Sequence, residues 1–308
     1  MSRIYEALQK AESERISGKS DKEPVLLQPV ATTAVADPEY APVPDDRDVF
    51  VQPELHRSSA NSLDLTKIVP RPWAPSLAQL PALMERGPAV EQFRSLRSRI
   101  YELRDIKPLK TILVSSGMPQ EGKSFISTNL ALSLARHKNS KVLLIDGDMR
   151  RYTLHQLLGC ESFPGLADYL AGKAAIEDVM QRAEQSIDAA GTGKPLLPNL
   201  TFIAGGNGGD KAADLSGSPR FAELIRLAAP HFDWIIVDSS PVLPVSDAVN
   251  LSRSCDGVLL VARAGVTKFA IAQRAQSELK ASNILGFVLN AVQEAPQVGG
   301  YYGYDANN

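Results

Sequence analysis

Gly117-Met-Pro-Gln-Glu-Gly-Lys-Ser124 follows an apolar run at residues 111–114 and precedes a helix-like stretch at residues 125–135. The spacing G-x-x-x-x-G-K-S between a strand pattern and a helix pattern is typical of a phosphate-binding loop, in which backbone N–H groups and a helix N-terminus surround a polyphosphate. Lys123 is expected to reach the β- and γ-phosphates, and the Ser124 hydroxyl is expected to bind Mg²⁺. The predicted nucleotide contacts of this phosphate loop are Gly117, Pro119, Glu121, Gly122, Lys123, Ser124 and Phe125.

The composition of the 308-residue chain excludes several classes of protein. A formal net charge of -2 with 22% charged residues argues against a nucleic-acid-binding protein. The only two cysteines, Cys160 and Cys255, lie far apart, which favours a reducing compartment over a disulfide or zinc framework. No apolar stretch approaches the roughly 20 residues that span a bilayer, and the N-terminus lacks the apolar core of a signal peptide. We therefore expect a cytoplasmic protein.

The chain divides into four predicted segments. Residues 1–15 place Ile4, Leu8 and Ala11 at helical spacing, which predicts a short amphipathic helix; a docking element and a frayed end both fit this pattern. Of the 21 prolines, 11 fall between Pro24 and Pro88, so residues 16–88 are predicted to be a disordered Pro-rich linker. Residues 89–295 form the predicted folded domain, and residues 296–308 a flexible tail.

Within the predicted domain, strand patterns alternate with helix patterns. Near-continuous apolar strands separated by helices are typical of a parallel sheet that is buried on both faces. The sequence therefore predicts an α/β fold of the P-loop NTPase type, with a mostly parallel sheet covered by helices on both faces. The predicted strands are residues 110–115, 141–145, 200–204, 234–237, 257–261 and 285–289, and the predicted helices are residues 124–137, 153–158 with 165–169, 219–229 and 268–282.

Carboxylates follow two of these strands directly. Asp146-Gly-Asp148 ends the second strand pattern and Asp238 ends the fourth, and ligands of parallel sheets sit beyond the carboxyl ends of the strands. Two carboxylates so close together raise each other's pKa unless a cation separates them, which suits an Mg²⁺-ATP site. Asp238 is the natural ligand for the metal through a water. The alternative for each aspartate is a helix cap or a turn former.

These motifs, in this order, resemble a known family. Ser116-Gly-Met-Pro-Gln-Glu-Gly-Lys-Ser124, Leu143-Leu-Ile-Asp-Gly-Asp-Met-Arg150 and Ile235-Ile-Val-Asp-Ser-Ser-Pro241 are similar to the Walker A, A′ and B motifs of the bacterial tyrosine kinases of capsule and exopolysaccharide systems. Glu91-Gln-Phe-Arg-Ser-Leu-Arg97 resembles the Glu-x-x-Arg-x-x-Arg helix through which these kinases associate into rings. Gly299-Gly-Tyr-Tyr-Gly-Tyr-Asp305 resembles their C-terminal tyrosine cluster. At Ser240 the chain departs from the family, which usually has the first of two prolines there.

The resemblance implies an ATP-dependent protein-tyrosine kinase, with ATP and Mg²⁺ bound, that phosphorylates its own tail at Tyr301, Tyr302 and Tyr304. Asp146 is predicted to deprotonate the incoming tyrosine, Asp148 to help hold the metal with Ser124, and Asp238 to position metal and water. The roles of Asp146 and Asp148 are open to exchange. The resemblance also implies intersubunit contacts through Glu91, Arg94 and Arg97, for which a solvated charged face is the alternative.

The resemblance further implies regulation of polysaccharide export and a place in a homo-oligomeric ring. Its activator is expected to be a separate membrane-embedded chain, which would hold the kinase at the inner face of the plasma membrane. The rival interpretation is a non-kinase ATPase of the partitioning and cell-division-positioning class, which typically has a second lysine where Met118 stands. A nucleotide-gated scaffold is a third interpretation. Asn290, at the end of the last predicted strand, is a candidate for adenine recognition or a turn residue.

Overall fold

The computed structural model describes residues 63–137, 140–184, 197 and 199–292. Across these ranges the strands join into one eight-stranded sheet with the order β1-β4-β5-β3-β6-β2-β7-β8. Every neighbouring pair is parallel except β4 with β5. The strands are β1 (Pro70–Arg71), β2 (Thr111–Ser116), β3 (Val142–Asp146), β4 (Met180–Ala183), β5 (Leu200–Ile203), β6 (Trp234–Asp238), β7 (Gly257–Arg263) and β8 (Ile284–Asn290).

Helices connect most of the parallel strands. None of those in the described ranges is long and apolar enough to cross a membrane. The helices are α1 (Pro88–Ile106), α2 (Lys123–Ala135), α3 (Leu154–Leu158), α4 (Leu166–Leu170), α5 (Ile176–Val179), α6 (Ala212–Ser216), α7 (Pro219–Ala228), α8 (Asp247–Ser252) and α9 (Phe269–Glu278).

The central strands are apolar throughout because both faces of the sheet are covered. In β2, Leu113 points into one buried cluster, while its neighbours Ile112 and Val114 point into the other, as the alternation of side chains along a strand requires. Helices α1, α2 and α3 contribute to the second cluster, and α4, α5, α7 and α8 contribute to the first. The predicted mostly parallel sheet with helices on both faces is confirmed.

The last part of the predicted linker is folded. Leu80 is completely buried, and the backbone N–H of Ala82 donates to Oδ1 of Asn129 on α2 (3.1 Å). Strand β1 pairs with β4 at the edge of the sheet. The prediction of a linker up to Pro88 is therefore wrong for residues 63–88. Pro70 lies at a sheet edge, Pro81 begins a 3₁₀ turn and Pro88 begins α1, which are positions where proline is tolerated. The apolar residues of this segment lack a period that would indicate an element. The predicted helix 1–15, the linker up to residue 62 and the tail 296–308 lie outside the described residues.

Helix α2 carries the phosphate loop into the core. Its last ten residues, from Ile126 to Ala135, are all buried, since the helix lies between the sheet and the segment that precedes α1. It begins after Gly122, whose φ of 94° lies in the left-handed region that favours glycine. The start of α2 is thereby fixed at the carboxyl end of β2, where the candidate site is found.

Candidate functional site

The phosphate loop, residues 117–124, is held in shape by contacts with β7 and β8. The buried carboxylate of Glu121 accepts the backbone N–H of Met118 (2.8 Å) and the hydroxyl of Thr267. The side-chain amide of Asn290 donates to the carbonyl of Glu121 (3.0 Å). These contacts close the loop from two sides, so it is preorganised to present its N–H groups to an anion.

Asn290 comes very close to the loop backbone. A Cβ atom at Gly122 would lie 2.0 Å from the Nδ2 atom of Asn290, so glycine is required there for the close approach as well as for its backbone angle. The structure thus gives Asn290 a contact with the loop, and its predicted contact with adenine stays a prediction. Of the other predicted nucleotide contacts, Pro119 is exposed on the loop, and the Phe125 ring packs edge-on against Phe93 with 5.7 Å between centroids.

The two functional side chains of the loop each contact a carboxylate at the carboxyl end of another strand of the sheet. Nζ of Lys123 lies 3.3 Å from Oδ2 of Asp148, and the Ser124 hydroxyl donates to Oδ2 of Asp238 (2.6 Å). Asp146 pairs in register with Asp238 because β3 and β6 are neighbours in the sheet. The structure therefore brings together all four predicted catalytic residues, Lys123, Asp146, Asp148 and Asp238, although they come from three separate parts of the chain.

Burial makes these carboxylates hard to ionise. Asp146 is completely buried, and burial together with the negative charge of Asp238 raises its pKa well above the ordinary value. The N–H groups of Leu154 (3.1 Å) and Asp148 (3.2 Å) donate to Asp146 and oppose this rise only in part. Burial also raises the pKa of Asp238 to about 6, and the negative charge of Asp148 adds to this rise, whereas the Lys123 charge and the hydroxyls of Ser124 and Ser127 oppose it. The site is therefore short of positive charge.

The donors present fit a hydrated magnesium ion. Oδ1 of Asp238 is buried and has no hydrogen-bond partner among the described residues, and the nearby hydroxyl of Ser127 donates instead to the carbonyl of Ser124 (3.1 Å). No group of three or more His, Cys, Asp or Glu side chains in the described ranges is arranged to hold a metal by itself. Mg²⁺ usually takes one or two carboxylates and completes its shell with water and phosphate, so Ser124 and Asp238 are a suitable protein contribution.

Several residues that the sequence analysis did not assign support the site from behind. Asp247, which is completely buried, accepts from Nε of Arg150 (2.8 Å) and so ties the segment after β3 to the start of α8. The N–H of Gly147 donates to the carbonyl of Asp238 (2.9 Å). Gly205 packs against Asp146, where an added Cβ would lie 3.4 Å from the carboxyl carbon. Gly147 and Arg150 lie within the quoted motif that ends at Arg150, but no local pattern identifies Asp247 or Gly205, because their partners are distant in the sequence.

The predicted interface residues on α1 have two different environments. Glu91 and Arg94 form an exposed ion pair one helical turn apart. Arg97 is partly buried and donates to the backbone carbonyl of Ser133 on α2 (3.0 Å), so it also joins two helices of the same chain. Intersubunit contacts of these residues stay a prediction. The predicted phosphoacceptors Tyr301, Tyr302 and Tyr304 lie outside the described residues.

Comparisons with known proteins identify relatives of this chain. No protein-family model matches the chain. It is 32% identical over 209 residues to the tyrosine-protein kinase ptk of Acinetobacter johnsonii, which covers 67% of this chain and 27% of that protein. It is 33% identical over 221 residues to the tyrosine-protein kinase YwqD of Bacillus subtilis, which covers 70% of this chain and 87% of that protein.

A solved structure extends the likeness to the fold. The kinase domain of the Escherichia coli tyrosine kinase ETK superposes with a TM-score of 0.60 at 32% sequence identity, covering 75% of this chain and 86% of that one. The chain spans 27% of the length of ptk and 30% of the length of the putative tyrosine-protein kinase EpsB of Ralstonia solanacearum. The names of these relatives favour a tyrosine kinase over a partitioning ATPase.

Proposed function

The chain belongs to the family of bacterial tyrosine kinases, and from that premise we propose that it is an ATP-dependent protein-tyrosine kinase that phosphorylates its own C-terminal tyrosines. The observation that carries this proposal is the pair of contacts between the phosphate loop and the strand-end carboxylates, Lys123 with Asp148 and Ser124 with Asp238. They supply a cation for the nucleotide phosphates, a metal-binding pair and a candidate proton acceptor at one end of the sheet.

Phosphoryl transfer needs charge neutralisation and positioning more than covalent help from the protein. Lys123 neutralises the β- and γ-phosphates after leaving Asp148, and the N–H groups of the phosphate loop hold the remaining oxygens. Ser124 and Asp238 would hold Mg²⁺, which would supply further neutralisation of the phosphate charge. The burial of these groups strengthens each of the interactions relative to water.

The phenol that attacks the phosphate has an ordinary pKa near 10, about three units above neutral pH, so it needs a proton acceptor in the transition state. Asp146 is poorly suited to this role because it is completely buried and both of its oxygens accept backbone N–H groups. Asp148 is better suited, since its Oδ2 becomes available when Lys123 moves to the phosphates. Asp148 thus takes the role of base that the sequence analysis first gave to Asp146, whereas Asp146 holds the backbone of Asp148 and does not take over the metal-binding role that a full exchange would give it.

The tail carries the acceptors Tyr301, Tyr302 and Tyr304. Strand β8, which leads toward the tail, ends at Asn290 beside the phosphate loop, and this supports a tail that begins at the active end of the sheet. The tail reaches the site of a neighbouring subunit in a ring, with Glu91, Arg94 and Arg97 at the contact. Each phosphorylation adds roughly two negative charges, and their mutual repulsion releases the ring.

Through this cycle the kinase regulates the synthesis and export of exopolysaccharide or capsule. Its activator is a separate membrane-embedded protein, which holds it at the inner face of the plasma membrane. Affinity capture of the full chain from detergent-solubilised membranes tests this part of the proposal. Recovery of an integral membrane protein only when the full chain is the bait supports it, and recovery of none contradicts it.

Incubation of the full chain with Mg²⁺ and ATP labelled on the γ-phosphate tests the activity itself. We expect phosphotyrosine on the tail by mass spectrometry, no label in Lys123→Met, and unchanged label in the control Lys107→Met, whose side chain is exposed. Release of free phosphate without phosphotyrosine would favour the ATPase, and nucleotide binding without either product would favour the scaffold. Label that persists in Lys123→Met would contradict the assigned site.

A further inference from the structure

Ser240, directly beyond β6, carries a buried hydroxyl that nothing in the described ranges satisfies. The residue is 1% exposed, and its Oγ atom has no hydrogen-bond partner there. Oδ1 of Asp238, two residues earlier, is in the same condition. Buried polar atoms are rarely left unpaired because they lose their hydration without compensation. Two such atoms lie two residues apart in the sequence, at and just beyond the carboxyl end of β6.

The segment that holds Ser240 is fixed against the phosphate loop. The Ser240 carbonyl accepts the hydroxyl of Ser115 (2.9 Å), and the N–H groups of Val242 and Leu243 donate to the carbonyls of Ser116 (2.8 Å) and Gly117 (3.3 Å). The backbone at Ser240 is therefore fixed against the end of β2 and the first residue of the loop.

The neighbouring hydroxyls show that lack of a partner is particular to Ser240. Ser239 is equally buried, and its hydroxyl donates to the carbonyl of Val114 (3.0 Å). The hydroxyl of Ser115 is paired with the Ser240 carbonyl, as above. The fold thus satisfies the hydroxyls of Ser239 and Ser115 by internal contacts, whereas the hydroxyl of Ser240, two residues after Asp238, has no partner among the described residues.

We infer that Ser240 is a further positioning residue of this site, whose hydroxyl joins Oδ1 of Asp238 in binding one water of the hydrated Mg²⁺ that accompanies the nucleotide. A hydroxyl both donates and accepts, so it can bind such a water whichever way the water is oriented. Mg²⁺ gives up its waters reluctantly and is often held through them. Oδ2 of Asp238 is already occupied by Ser124, which leaves Oδ1 for this purpose. The inference rests on the proposed Mg²⁺-dependent function of the site.

Nucleotide binding at increasing Mg²⁺ concentration tests this role without relying on catalysis. The probe is a fluorescent ADP analogue, and the variants of the full chain are Ser240→Ala, Ser240→Thr and the matched control Ser239→Ala. Loss of one neutral hydrogen bond to a bound water corresponds to a factor of about five in affinity. We expect Ser240→Ala to raise the Mg²⁺ concentration for half-maximal binding by that factor, and Ser240→Thr and Ser239→Ala to behave like the wild type. Binding in EDTA should be the same for all four proteins.

Thermal unfolding of the metal-free protein supplies a second measurement. If Ser240 had only a structural role, Ser240→Ala should lower the melting temperature. Ser240→Ala removes an unpaired buried hydroxyl and should leave the melting temperature unchanged or higher, whereas Ser239→Ala removes a paired one and should lower it. An Mg²⁺ dependence of Ser240→Ala within twofold of the wild type, or a loss of stability equal to that of Ser239→Ala, would overturn the inference alone. Absence of any Mg²⁺-dependent nucleotide binding in the wild type would overturn the proposed function as well.

Discussion

Replacing Asp238 with asparagine should stabilise the protein when metal and nucleotide are absent. The carboxylate is buried, and its pKa is raised to about 6 because burial opposes its ionisation more than Lys123 and Ser124 favour it. Above that pH the folded protein must keep a poorly compensated charge in its interior. Asparagine keeps an oxygen that can accept the Ser124 hydroxyl (2.6 Å in the wild type) and removes the charge. The variant should therefore be more stable than the wild type at neutral pH.

The size of this stabilisation follows from the rise in the pKa of Asp238. One pKa unit corresponds to about 1.4 kcal/mol, so a rise from 3.8 to about 6 costs the folded state roughly 3 kcal/mol once Asp238 is fully ionised. For a group whose pKa is raised on folding, the stabilising contribution is complete below the unfolded pKa and is lost as the pH rises through the folded pKa. The cost therefore appears between about pH 4 and pH 6 and stays constant above that range.

Urea unfolding in EDTA at several pH values between 4 and 8 measures this difference. At pH 7.5 Asp238→Asn should gain up to about 3 kcal/mol, or roughly 6–12 °C in melting temperature for a domain of this size, and at pH 4 the two proteins should be equally stable. The matched control is Asp247→Asn, since Asp247 is equally buried but paired with Arg150, so its loss should destabilise at pH 7.5. A difference for Asp238→Asn that is independent of pH, or a loss of stability at pH 7.5, would refute the reasoning.

Three further predictions concern the loop, the base and the segment before α1. Gly122→Ala should weaken nucleotide binding at least tenfold in a fluorescence titration. Alanine is disfavoured at positive φ by about 1–2 kcal/mol, and its Cβ would clash with the side chain of Asn290. The double variant with Asn290→Ala removes only the clash, so it should restore binding only in part. Asp148→Asn should lower the rate of tyrosine phosphorylation at least a hundredfold and leave the nucleotide affinity within threefold of the wild type. Equal losses in the rate and in the affinity would argue against Asp148 as the proton acceptor. Leu80→Ala should lower the free energy of unfolding, measured in urea, by about 2–5 kcal/mol. Leu77→Ala, at an exposed position, should lower it by under about 0.5 kcal/mol. Equal effects of the two substitutions would show that this segment is not part of the core.

The elements that the sequence predicted are those whose pattern is local. The six strands β2, β3, β5, β6, β7 and β8 are near-continuous apolar runs, and the sequence predicts each of them to within two residues at either end. Strand β4, with the sequence Met-Gln-Arg-Ala, has no such pattern, and it becomes a strand because β5 and β1 pair with it on either side. Strand β1 has only two residues, Pro70 and Arg71. Pairing of this kind depends on tertiary contacts, which no window of sequence contains.

The residues of the candidate site also divide into those that a local sequence pattern predicts and those that only tertiary contacts reveal. Lys123, Asp146, Asp148 and Asp238 were predicted because each ends a strand or follows a glycine-rich turn, and parallel strands bring their carboxyl ends to one edge. Asp247 contacts its partner Arg150 across 97 positions of sequence, and Thr267 contacts Glu121 across 146. These pairs are determined by tertiary contacts, so no local sequence pattern predicts them.

The division of roles between Asp146 and Asp148 also required the structure, because the two residues have the same side chain and differ in what surrounds it. Asp146 is enclosed and accepts two backbone N–H groups, while Asp148 contacts Lys123 at the loop. A carboxylate that must release and receive a proton during each turnover has to be reached by the substrate. Asp148 is also buried, and its Oδ1 accepts the N–H of Arg151, but among the described residues its Oδ2 contacts only Lys123. The proposed division of roles therefore rests on hydrogen bonding and on the contact with Lys123.

The same unsatisfied groups connect the stability of the metal-free protein with the affinity for the metal-bound nucleotide. Asp238 holds a charge that burial penalises, and Ser240 holds a hydroxyl without a partner. Both conditions lower the stability of the empty fold, and both are relieved by a hydrated cation that binds only the folded state, which stabilises that state in proportion to its affinity. Asp238→Asn and Ser240→Ala should therefore each move the two free energies in opposite directions, with a more stable metal-free protein and weaker Mg²⁺-dependent nucleotide binding. Asp247→Asn should not follow this rule, because its carboxylate is already neutralised by Arg150.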